Sequence, residues 1–204
     1  MRKALLIVSV AVFGLSFGCG NPSVSTFTDK RDGKTYKIVK IGGQTWFAEN
    51  LNYAADGSVC YENNAGNCEK YGRLYNWAPA LKACPAGYHL PLDVEWTMLE
   101  DAVGNPAGKK LKSSEGWNNN GNGTDDFDFS TLPGGYGSDY GSFDSAGDGG
   151  LWWSATEVLD NDAWYRGIDY DSDYVSRNGY NKSGSFSVRC VQDKEGVQYK
   201  EGEQ

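Results

Sequence analysis

Two groups of acids and one histidine are the side chains of this 204-residue sequence whose types and spacing could do chemistry. Asp169, Asp171 and Asp173 alternate, which on a strand would set three carboxylates on one face, where their mutual repulsion favours a cation such as calcium. The calcium loop of an EF-hand is nevertheless not met, because Tyr174 stands where that loop needs glycine and Tyr180 where it needs glutamate. A polar hairpin tip accounts for the same residues without a metal, and Asp125, Asp126 and Asp128 pose the same pair of alternatives. His89 is the sole histidine, so a triad or zinc centre would have to be built around it. Its place between Tyr88 and Leu90-Pro91, at the entrance of a helix, points instead to a structural hydrogen bond. No Gly-x-Ser-x-Gly elbow, His-Glu-x-x-His pair or phosphate-binding glycine loop occurs. A glycosidase-like pair could still form among 27 acidic residues, since distance along a chain does not set distance in space. The residues themselves nominate no catalytic group, and the expectation is a protein that is not an enzyme.

The positive signal is aromatic. Sugars present apolar C–H faces that stack on Trp and Tyr, while Asp, Asn and backbone groups take up their hydroxyls. Trp117, Tyr136, Tyr140, Trp153 and Tyr170, interleaved with Asn and Asp and joined by Asp125 and Asp126, are therefore the candidate ligand-binding residues. Trp46, Trp77, Trp96 and one of Trp152 and Trp153 are expected in the core, because neighbours on a strand face opposite sides.

The elements that must position these side chains can be read from periodicity. Turn signals at Asp32-Gly33 and Gly42-Gly43 separate β-rich runs at Thr35–Ile41 and Gln44–Ala48, predicting a hairpin or meander. Trp77, Ala80, Leu81 and Cys84 share one helical face closed by Pro85 and Gly87; a second helix spans about Leu92 to Val103, and a short third piece lies around Ala107–Ser113. From Gly116 to Gly150 aliphatic residues almost vanish, which predicts a long irregular loop. Strand character returns at Leu151–Thr156, Ala163–Asp169, Tyr174–Arg177 and Ser185–Val191.

The N-terminus predicts export. Arg2 and Lys3 precede an uncharged run from Ala4 to Phe17 that is too short to span a bilayer, and Leu15-Ser16-Phe17-Gly18 before Cys19 resembles a lipobox. Residues 1–18 are thus expected to be a signal peptide, Cys19 an acylated anchor and 19–25 a tether, with secretion without lipid as the alternative. Gly20 after the cysteine is compatible with sorting to an outer membrane. Losing the signal peptide moves the formal charge from −8 to −10, which argues against nucleic acid and against electrostatic docking on anionic lipid. Membrane contact is expected through the lipid alone. Residues 26–193 are enough for one domain, and 194–204 form a polar tail expected to be disordered.

Cys60, Cys68, Cys84 and Cys190 allow three pairings, among which spacing does not choose. A zinc site is a poor alternative, because no two of them have its two-to-four-residue spacing. The ordered motifs are more informative. Gln44-Thr45-Trp46, Glu49-Asn50-Leu51-Asn52-Tyr53, Gly72-Arg73-Leu74-Tyr75-Asn76-Trp77, Cys84-Pro85-Ala86-Gly87-Tyr88-His89-Leu90-Pro91, Leu132-Pro133-Gly134-Gly135, Trp152-Trp153-Ser154-Ala155-Thr156 and Ser187-Val188-Arg189-Cys190-Val191 together resemble the Fibrobacter succinogenes major paralogous domain.

That family is similar in layout to C-type lectin-like domains. The resemblance implies an α+β fold of antiparallel sheets, two main helices and a long irregular loop, with Cys84 bonded to Cys190 and Cys60 left to bond Cys68. One departure is Leu92, standing where the family tends to have a small hydroxyl residue that caps the second helix, so the cap is expected to pass to Asp93. The sugar-and-calcium motif of true lectins is absent, and calcium is not implied. The expected role is an outward-facing binding or adhesion module, with cell-wall carbohydrate as ligand. The rivals are an enzyme of the lectin-like superfamily, either a glycan-active hydrolase or a formylglycine-generating-like oxidase, which needs a reactive cysteine pair, and a purely structural envelope protein.

Overall fold

A computed structural model describes residues 25–194. Strands β1 (Ser25–Thr28), β2 (Thr35–Ile41) and β3 (Gln44–Phe47) form the expected meander. They are followed by β4 (Ser58–Val59), α1 (Ala65–Tyr71), β5 (Leu74–Tyr75), α2 (Trp77–Ala83), β6 (Tyr88–His89), α3 (Asp93–Val103) and α4 (Ala107–Leu111). The second half is strand-rich: β7 (Gly134–Gly137), β8 (Phe143–Ala146), β9 (Gly149–Leu159), β10 (Asp162–Asp169), β11 (Ser176–Asn181) and β12 (Val191–Gln192). One sheet runs β1-β2-β3-β12-β6 and the other β11-β10-β9-β7-β8, with β4 and β5 pairing apart. Among the described residues the fold is α+β, mostly antiparallel, with four helices and two disulfides.

The core divides into two clusters, and adjacent residues of one strand go to different ones. Phe47, Tyr75, Trp77, Trp153, Phe186 and Val188 build the first. Trp46, Trp96, Leu99, Leu111, Trp117, Phe129 and Trp152 build the second. Both faces of β3 and of the Trp152–Trp153 part of β9 are therefore covered, which is why Trp46-Phe47 and Trp152-Trp153 stand as adjacent aromatic pairs and not in alternation with polar residues. The expectation that only one of Trp152 and Trp153 is core is corrected accordingly: the strand does send them to opposite sides, but both sides are interior.

Other expectations need revision. The segment from Gly116 to Gly150 is not irregular throughout. Its first half wraps α4, with backbone bonds from Gly123, Thr124, Asp126 and Thr131 to carbonyls of residues 109–113, and it plugs the second core with Trp117 and Phe129. Gly123 is required there, since a Cβ would lie 2.3 Å from the Lys112 carbonyl oxygen. Its second half is the β7–β8 hairpin, tied to β9 by a parallel pair at Gly135 and Gly150. Backbone hydrogen bonds and a few buried rings thus replace the missing aliphatic side chains. Helix α1 had no periodic signal, and 185–187 make isolated bridges before a strand of only two residues.

The cap of α3 does not pass to Asp93. Leu92 remains the capping position, its N–H donating to the Glu95 carboxylate (3.0 Å), while the Asp93 N–H is taken by the Thr156 hydroxyl (3.0 Å). The Asp93 carboxylate is instead bonded by Arg166 and Arg177, which pins the helix to the second sheet.

Cys60 bonds Cys68 and Cys84 bonds Cys190, the pairing the resemblance implied. The signal peptide, Cys19 with its proposed lipid, and the C-terminal tail lie outside the described residues.

Candidate functional site

The motif residues turn out to be architectural. Asn50 is buried, and its carboxamide oxygen accepts from the Trp152 indole (2.9 Å) and from Arg189 Nε (2.8 Å), while its amide donates to the Tyr71 carbonyl (2.8 Å). Arg189 is fully buried without a carboxylate partner. Its guanidinium donates to the carbonyls of Phe47, Phe129 and Ser130. Burial pushes its pKa down to about 9, against the weaker pull of Asp125 and Glu49. Asn76 ties α2 to residues 183–185, and Trp77 donates to the Ser154 carbonyl.

His89 has both ring nitrogens engaged, Nε2 with Glu95 (2.8 Å) and Nδ1 with Asp193 (2.7 Å). Burial alone would lower its pKa, but the bonds to Glu95 and Asp193 outweigh burial and raise it above 6.5. A doubly bonded imidazolium is a structural clamp between β6, α3 and the end of β12, with no lone pair free to act as a base. A group whose folded pKa is raised stabilises fully below its unfolded value and loses that contribution as pH rises through the folded one. Thermal stability is therefore expected to fall as pH rises from the ordinary histidine value of 6.5 through the raised folded one. His89→Gln should flatten that slope; an unchanged slope would contradict the clamp.

The acidic triplet does not form a face. β10 ends at Asp169, and 170–175 is a turn. Inside that turn sits Lys112, only 1 % exposed, whose ammonium donates to the carbonyls of Asp169 (3.2 Å), Tyr170 (3.4 Å) and Ser172 (2.9 Å). All three of its donors are used, so the turn is organised around a cation that belongs to the chain. Among the described residues no three Asp, Glu, His or Cys side chains are arranged so that they could hold a metal ion. Asp125 serves its own loop, accepting from the Ser130 N–H (2.8 Å) and hydroxyl (2.5 Å). Asp126 is exposed, and its N–H caps the Lys110 carbonyl.

Of the aromatic candidates, Trp117 and Trp153 are 5 % and 0 % exposed and cannot offer a ring face to a ligand. The Trp117 indole is bonded to Ser113 and Thr131; that of Trp153 donates to the Tyr75 carbonyl (2.8 Å) and its ring stacks on Phe186 (4.1 Å). Both were nominated for their place in or beside a segment expected to be an open loop, but that segment packs inward. Tyr170 lines a cleft of about 410 Å³ with Lys109, Lys112, Asp171, Asp173 and Tyr174. Tyr140, at the β7–β8 tip, is 92 % exposed.

Tyr136 belongs to a different assembly, on the second sheet. Tyr165 of β10 pairs with Trp153 of β9 and Asn178 of β11, so these three side chains share a face. Trp153 lies at its buried end. Towards the other end, Tyr136, Tyr165 and Tyr180 surround Phe186 with ring centroids 5.9, 5.2 and 5.1 Å away. The three tyrosines are only partly buried, so each has one side on the core and another towards solvent. Tyr180 is edge-on to both others, at 70° and 79°, which makes the surface stepped. Polar groups flank it: Asn178 is the cross-strand neighbour of Tyr165, and the Tyr180 hydroxyl donates to Asp139 (3.3 Å). Burial raises all three phenol pKa values, leaving neutral hydroxyls that both donate and accept. Neither the cleft at Tyr170 nor a second one of about 450 Å³ beside β2 includes these tyrosines, which are half-buried on the sheet face. Tyr165 was missed because it lies on an ordinary strand segment, and Asn178 and Tyr180 because the strand expected at Tyr174–Arg177 runs instead from Ser176 to Asn181. The signal available was aromatic residues at positions 165 and 180 on strands that a single turn makes neighbours.

What the arrangement can do is bind: rings with neutral hydroxyls and a carboxamide, side by side on one sheet face. Neither a curated protein nor a solved structure matches the chain. The model of the Fibrobacter succinogenes major domain matches residues 39–192, from within β2 to the end of β12 and so across both core clusters. The chain belongs to the Fibrobacter succinogenes major domain family.

Proposed function

We propose that this protein is a non-catalytic carbohydrate-binding module, displayed on the cell surface by a lipid on Cys19, with a lectin-like layout. The observation that carries the ligand class is the Tyr136, Tyr165 and Tyr180 surface with Asn178 beside it. Stacking faces and neutral hydrogen-bonding groups are what a pyranose ring needs. A sheet face spread over several strands suits a polymer segment better than a small molecule. The display follows from the signal segment and Cys19, and loss of labelling by a fatty-acid analogue in Cys19→Ser tests it.

The ligand class is tested by retention of the protein on insoluble and soluble polysaccharides, comparing wild type with Tyr136→Ala and with Tyr165→Ala. Each ring is expected to contribute roughly 1–1.5 kcal/mol, about tenfold in affinity. Unfolding curves separate lost binding from lost structure, since both rings also cover Phe186. Binding by wild type that survives both substitutions would move the site elsewhere; no retention on any polysaccharide would favour a structural or protein-partner role.

A further inference from the structure

Resting on the reading of the tyrosine surface as a glycan platform, the charge around it narrows the ligand. Asp144 of β8 is the cross-strand partner of Tyr136, so its exposed carboxylate stands beside that ring. Asp169 lies four residues along β10 from Tyr165, on the same face, and its carboxylate leans over Gly149, where an added Cβ would be 2.6 Å from Oδ1. Asp139 accepts the Tyr180 hydroxyl. Each ring thus has a carboxylate neighbour. The carboxylates also act on the three phenols: Asp144 and Asp169 on Tyr136, Asp169 on Tyr165, and Asp139 on Tyr180. The nearest arginines of these strands point to the other face. Arg166 and Arg177 are both bonded to Asp93 of α3, and Arg177 also lies over the Trp164 ring.

We infer that the platform selects glycans without acidic groups and rejects uronate- or sulfate-bearing ones, with Asp139, Asp144 and Asp169 as the excluding residues. Like charges brought together at a binding surface disfavour the wrong partner, and stacking rings alone would not make that distinction. The chain's net charge of −8 acts in the same direction at longer range.

The test is affinity electrophoresis of the purified full chain in gels containing hydroxyethylcellulose, xylan or glucomannan, against carboxymethylcellulose, polygalacturonate and alginate. The first of each series shares one backbone and differs in charge. The neutral polymers are expected to retard the protein, with carboxymethylcellulose at least about tenfold weaker than hydroxyethylcellulose. The gap should shrink at about 0.5 M salt, where the Debye length falls to a few ångströms. The Asp144→Asn/Asp169→Asn variant should keep neutral binding and gain on the acidic polymer. Equal retardation by both series, or a neutral-to-acidic ratio unmoved by salt and by the double variant, would overturn the selectivity while leaving the platform. Retardation by neither series would remove the platform itself, and the selectivity with it.

Discussion

Arg189→Ala is expected to destabilise the domain by about 4 kcal/mol, because four acceptors lose a donor together and only one of them, the Asn50 oxygen bonded by Trp152, keeps a second side-chain donor. They are the Asn50 carboxamide oxygen and the carbonyls of Phe47, Phe129 and Ser130, at 2.8, 3.2, 2.5 and 2.9 Å. The guanidinium also lies 4.6 Å from the Phe129 ring centroid, so the residue joins the meander, the segment that wraps α4 and the strand carrying Cys190. An orphaned buried acceptor costs roughly 1–3 kcal/mol, and water entering the vacated space recovers part of that. Arg189→Lys should recover little, since one ammonium cannot reproduce a fork aimed at four oxygens. Chemical denaturation measures both; a loss below about 1 kcal/mol for alanine would show that the network is not what holds these segments together.

The second large effect concerns the Cys84–Cys190 bridge. It closes a separation of 106 residues, which in the chain-entropy account is worth roughly 4.8 kcal/mol, against roughly 2.5 kcal/mol for Cys60–Cys68 with its separation of 8. Cys190 is also wholly buried in the first core, so Cys84→Ala/Cys190→Ala adds a packing loss to the entropic one. The expected order is clear: losing the long bridge lowers the denaturation midpoint about twice as far as losing the short one. Equal shifts would mean that native strain or residual unfolded structure dominates the loop term.

Much of the architecture was legible because local signals agreed with the tertiary structure. The turns at Gly33 and Gly42–Gly43, the helical spacing of Trp96, Leu99 and Val103, and the family motifs identify the meander, α3 and the disulfide pairing. What escaped detection depends on long-range placement. Phe129 and Trp117 bury themselves although their surroundings are Gly, Asn and Asp, because the backbone of that segment bonds to α4. The site was partly legible. Tyr136 was nominated and stands on the platform, whereas Trp153 was nominated and lies beneath it, stacked on the Phe186 ring that the tyrosines cover. Composition reveals that aromatic residues are abundant; only register decides which side of a sheet each one takes. The same limit applies to the acidic triplet. Alternation suggested a metal face, but the strand stops at Asp169 and a lysine from a distant helix end, Lys112, supplies the positive charge.

The central claim is that the binding surface is the stepped tyrosine face of the second sheet. The most direct measurement is an NMR titration of the isotope-labelled protein with a soluble neutral oligosaccharide such as cellohexaose, following side-chain aromatic and backbone amide signals. Shifts concentrated at Tyr136, Tyr165, Asn178 and Tyr180, with Trp117 and Trp153 changing little, are the result this account predicts. Shifts centred on the cleft around Lys109, Tyr170 and Tyr174, or on the cleft beside β2, would contradict it.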